Sequence, residues 1–91
     1  GMNRIELSPS LSHCIETAAR EEYWNSVTQL LESEQEDEEL QQKIESLQTF
    51  LESADFRKLR SQSEQFLIEG KKVKFIIYGK ENELNYEMQV S

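Results

Sequence analysis

The chain's one histidine and one cysteine, His13 and Cys14, stand side by side. A metal site or a nucleophile–base pair needs such groups to converge. Neighbours on a helix point about 100° apart, so these two cannot face one ion or share one proton. Cys14 therefore reads as a small core residue and His13 as a water-facing residue near a helix start. Carboxylates crowd "EQEDEEL" (Glu34 to Leu40), but without the Asp-x-Asp-x-Asp-Gly spacing of a calcium loop. No apolar frame surrounds them that would raise a carboxyl pKa. Glycine occurs at positions 1, 70 and 79 only, which rules out a phosphate-cradling loop. No residue is assigned a catalytic, metal-binding or cofactor role, and the chain reads as a non-enzyme.

Cations offer a second kind of chemistry. "FRKLR" and "KKVK" supply Arg57, Lys58, Arg60, Lys71, Lys72 and Lys74, which would contact phosphates if the chain were a small nucleic-acid-associated regulator of the antitoxin or transcription-linked kind. Charge argues against it. The net charge is −8, and residues 1–54 hold 12 acidic and 3 basic side chains against 6 and 7 in residues 55–91. Binding to nucleic acid rests largely on phosphate neutralisation, which an acidic chain opposes. Pairing of the basic segment with the acidic half, within one chain or between two, is the simpler use.

The third candidate is an interface. In "KKVKFIIYG" the apolar residues Val73, Phe75 and Ile77 point one way, while Ile76 and Tyr78 continue the other face, so "FIIY" is apolar on both sides. A two-stranded ribbon is marginal alone and leaves its edges unpaired. Helices can cover one face. The other then calls for a second copy of the chain, with Phe75, Ile76, Ile77 and Tyr78 at the contact and Trp24 as a further anchor. The competing expectation is that "NRIEL", with Ile5 and Leu7 on one side, adds a third strand and a helix covers the rear.

The elements that must position these residues follow from periodicity. Ser8 and Pro9 suit a helix start, and from Leu11 to about Ser33 no Gly or Pro interrupts. The apolar residues there split between Leu11, Cys14, Ile15 and Ala18 on one face and Tyr23, Val27, Leu30 and Leu31 on another, which calls for two contacts or a bend near 20–22. After the acidic break, Leu40, Ile44, Leu47, Leu51 and Ala54 mark a second helix over 37–53. The stripe then shifts. Ser53 or Asp55 can cap a third helix carrying Phe56, Leu59, Phe66 and Leu67, closed by Gly70. The ribbon over 71–90 follows, with "GKEN" as its connection and Phe75 opposite Tyr86, Val73 opposite Met88 and Lys74 opposite Glu87.

The expected fold is thus α+β and mainly helical: three amphipathic helices and a C-terminal antiparallel β-hairpin, in the order α-α-α-β-β. It forms a single domain over 1–91, with an extended lead-in over 1–7 and a helical part over 8–69. No repeat or low-complexity linker appears. The 91 residues bury only about 60–65% of the unfolded surface, so a small core favours self-association. One cysteine fits a reducing compartment, and no apolar run reaches the ~18 residues of a membrane span or forms a signal-peptide core. Gly1 before Met2 has the form of a tag remnant, which leads to the expectation of a whole small cytoplasmic protein. The function expected is protein interaction, with the chain a homodimer or bound to another protein.

Overall fold

The computed structural model describes residues 4–80 and 83–91. They form three helices and one antiparallel sheet in the order β1 (Arg4–Leu7), α1 (Ile15–Glu32), α2 (Glu38–Ser53), α3 (Phe56–Ile68), β2 (Val73–Lys80) and β3 (Glu83–Val90). The class is α+β, as the sequence indicates, but the order corrects the expectation: a strand comes first. The lead-in is β1, with Ile5 and Leu7 buried and Arg4 and Glu6 exposed, and it pairs with β2 so that the sheet runs β1-β2-β3.

The helices begin and end where local chemistry allows. Asp37 accepts from the Leu40 N–H and caps α2, whose first turn holds Glu38 and Glu39 near the positive end of its dipole. Asp55 caps α3 through the Lys58 N–H. At the far end Gly70 adopts φ +83°, the left-handed conformation favoured by glycine. The Lys71 N–H then reaches Phe66 O and the Gly70 N–H reaches Leu67 O, closing α3 in a Schellman motif.

Two expectations for α1 are corrected. It does not start at Ser8–Pro9, because the chain first makes a tight turn in which Ser10 and His13 exchange backbone hydrogen bonds, 2.9 and 3.1 Å. Cys14 occupies the position before Ile15. Nor is there a split face or a break at 20–22, since α1 is continuous and its core side is Ile15, Ala19, Tyr23 and Ser26. Ala19 and Ser26 are too small to register in an apolar count, yet both are almost wholly buried.

The core joins one face of the sheet to the helices. Ile5, Leu7, Val73, Phe75 and Ile77 pack with Ile15, Ala19, Leu47, Phe50 and Leu59, and with the partly buried Leu84 and Met88. The β2–β3 register differs from the expected one by two residues: Phe75 faces Met88, Val73 faces Val90 and Ile77 faces Tyr86. A shift of two keeps every side chain on its own face, so alternation alone does not distinguish the two pairings. Lys74 lies opposite Gln89 rather than Glu87 and reaches Glu6 of β1 instead, 3.5 Å away. Within the expected "GKEN" connection, Gly79 and Lys80 continue β2, while Glu81 and Asn82 lie outside the described residues.

Candidate functional site

The residues expected at an interface are mostly inside. Phe75 and Ile77 are fully buried in the core, and Ile76, on the opposite face of β2, is only 1% exposed. Cover for Ile76 comes from its own sheet. Glu6 and Glu87 stand directly opposite it on either side, and Lys74 and Tyr78 flank it along β2. Arg4 and Lys74 both ion-pair with Glu6 at 3.5 Å, which lays long side-chain stems across that face. The expectation that "FIIY" needs a second subunit for cover is corrected, because β1 supplies the missing neighbour within the chain. Tyr78 stays half-buried.

An edge remains. β3 is hydrogen-bonded on one side only, and it presents eight residues without proline. Which of its backbone groups point outward follows from a neighbouring pair. Lys72 and Ser91 exchange both backbone hydrogen bonds, 2.8 and 2.9 Å. Hydrogen-bonded and non-bonded pairs alternate along an antiparallel ladder, so residues 83, 85, 87 and 89 direct N–H and C=O to β2. Leu84, Tyr86, Met88 and Val90 direct theirs away from the sheet. Their side chains face the helix side, where Tyr86 is 41% and Val90 37% exposed. Tyr86 holds the edge to the core, its ring 6.4 Å from Phe50 and 6.2 Å from Phe75. The sequence signal for this edge was the alternation in "ELNYEMQV"; a lone hairpin hides which of its two strands ends up outermost.

Trp24 is 62% exposed and packs edge-on against Tyr23 at 5.3 Å. The depression beside it is lined by Arg20, Tyr23, Gln48, Leu51 and Glu52, all from α1 and α2. The structure does not bring it to the "FIIY" residues.

The six basic residues divide into two groups. Arg57 and Arg60 line a depression of about 500 Å³ together with Cys14, Glu16 and Glu64, so carboxylates share it. Lys71, Lys72 and Lys74 line a separate groove of about 760 Å³ between the Ser8–Ser10 segment and the end of the sheet. Lys71 is paired with Glu69 and lies over the Phe66 ring, and Lys74 is paired with Glu6. The Lys58 side chain is exposed on α3 and lines neither depression.

Cys14 sits at the start of α1 rather than in the core, half-buried, with its Sγ 3.2 Å from the Thr17 hydroxyl. That hydroxyl holds the thiol below its ordinary range, assisted by the Thr17 and Glu16 N–H groups at the helix start and by the Arg60 charge; partial burial pushes the other way. His13 turns elsewhere, with Nε2 3.1 Å from Glu21. Among the described residues no group of three or more His, Cys, Asp or Glu side chains is placed to hold a metal ion. No helix among them is long and apolar enough to cross a membrane.

Fold and surface together define a small α+β domain whose sheet has two edge strands, the four-residue β1 and the eight-residue β3. An uncharacterised protein family matches residues 2–87, and the chain belongs to that family. No curated protein and no solved structure matches it.

Proposed function

We propose that the chain is a non-enzymatic protein-interaction domain that associates with itself through its C-terminal hairpin. The observation that carries this reading is the edge of β3, a full-length strand whose outer backbone groups have no ladder partner in the sheet order β1-β2-β3. Sheet edges recruit further strands unless they are short, bulged, charged or covered. This one holds Glu83 and Glu87 but no lysine or proline in β3, and the apolar side chains of Tyr86 and Val90 lie beside it. The single thiol, at Cys14, favours a reducing, cytoplasmic setting.

Light scattering coupled to size exclusion, run from 1 to 200 µM, tests this. A mass rising from 10.7 kDa toward twice that value with concentration is the expected result. A concentration-independent monomer across the range overturns the reading.

A further inference from the structure

We propose that two copies join β3 to β3 as antiparallel neighbours, with Tyr86 on the twofold axis, giving one continuous six-stranded sheet. This rests on the self-association reading above and specifies its partner surface and register. A twofold interface places one patch against itself, so the edge must be complementary to its own reverse.

Backbone parity restricts the choice first. Outward-directed residues must meet outward-directed residues, which on β3 are Leu84, Tyr86, Met88 and Val90. Charge restricts it further. Centring the pair on Asn85 sets Glu83 opposite Glu87 of the second copy, and centring it on Glu87 sets that carboxylate against itself. Like charges directly opposite are unfavourable.

Centring on Tyr86 removes both conflicts. Tyr86 meets Tyr86, Leu84 meets Met88, Asn85 meets Glu87 and Glu83 meets Gln89, each pair formed twice except the central one. Every carboxylate then faces an amide that can donate to it, and Leu84, Tyr86 and Met88 each face an apolar residue, while Val90 lies beyond the paired segment. A centre on Met88 also separates the carboxylates but leaves Leu84 beyond the paired segment. The Tyr86 register pairs seven of the eight β3 residues, 83–89, where the Met88 register pairs five of them, 86–90.

Asn85 variants read the register directly. Asn85→Glu sets carboxylate against Glu87 at two places per dimer and is expected to raise the dimer Kd by roughly 2- to 30-fold. Asn85→Lys creates two opposite-charge pairs and lowers Kd over a similar span. Asn85→Glu combined with Glu87→Lys restores Kd to within about threefold of the parent. In a Cys14→Ser background, Tyr86→Cys forms a disulfide across the axis on mild oxidation, because hydrogen-bonded partners sit about 5.5 Å apart at Cα. Val90→Cys does not, since the two positions lie roughly 27 Å apart along the strands.

A dimer whose Kd moves less than twofold in both Asn85 single variants overturns this register while leaving self-association standing. So does a Val90→Cys cross-link as efficient as that at Tyr86. If Tyr86→Cys does not fold, the Asn85 series alone decides. A monomer throughout sinks both this inference and the broader reading.

Discussion

Phe50 of α2 and Tyr86 of β3 meet edge to face, with ring centroids 6.4 Å apart and planes at 70°. Phe50 also meets Phe56 at 5.5 Å and 90°, and Tyr86 lies 6.2 Å from Phe75. A chain of four rings thus ties the edge strand β3 to the start of α3 through the last turn of α2. Phe50→Ala removes two ring contacts and opens a cavity, and is expected to lower unfolding free energy by about 3–5 kcal/mol. Phe50→Leu keeps most of the volume and isolates the ring-specific part, about 0.5–1.5 kcal/mol per pair. Urea unfolding followed by circular dichroism measures both.

Ile76 behaves as an intramolecular residue. Ile76→Ala is expected to cost about 2 kcal/mol, the low end for a buried aliphatic truncation, because the vacated space adjoins flexible Lys74 and glutamate stems that can settle into it. Glu6→Ala, which frees Arg4 and Lys74 from exposed ion pairs, should cost under about 1 kcal/mol. An Ile76→Ala loss no larger than that of Glu6→Ala would mean that Ile76 is not buried within the single chain.

Helix ends provide a third check. Asp55→Ala removes the acceptor for the Lys58 N–H and should cost about 1 kcal/mol. Gly70→Ala meets no neighbouring atom within 4 Å, so any loss comes from backbone strain at φ +83°, about 1–2 kcal/mol. Thermal unfolding of each variant should show both losses, and an unshifted Gly70→Ala curve would mean the α3 terminus relaxes without the left-handed residue.

Cys14 gives a pH prediction. Its thiol is held below the ordinary range chiefly by Thr17, so the thiolate fraction near neutrality exceeds that of a free cysteine. The pH profile of iodoacetamide alkylation should therefore have a midpoint lower than that of an unfolded control, and Thr17→Val should move it upward. Because the folded value is the depressed one, any stability linked to this thiol is present above the unfolded pKa and fades as pH falls through the folded one. A Thr17→Val profile identical to the parent's would show that the hydroxyl is not responsible.

Much of this architecture was legible from residue order. The α2 stripe from Leu40 to Leu51, the Asp55 restart and the Gly70 stop all appear where spacing and capping chemistry place them, because each is a local signal. β1 was harder: four residues with two apolar side chains carry little periodicity, and their meaning depends on β2, far along the chain. α1 misled because its buried seam uses Ala19 and Ser26, whose contribution is smallness and not greasiness. The double-sided apolarity of "FIIY" marks a strand flanked twice, but nothing local to it identifies Glu6 and Arg4, some seventy residues away, as material of the second flank. That β3 is an edge strand could not be seen until β1 had claimed the other side of β2.

The pairing of Ile5 with Ile77 also orders events in time. Synthesis delivers "RIEL" first among these elements, and its ladder mate emerges only after all three helices have been made. The first of the three strands to be made must wait without its hydrogen-bonding neighbour until the hairpin appears, so sheet closure follows the synthesis of all three helices.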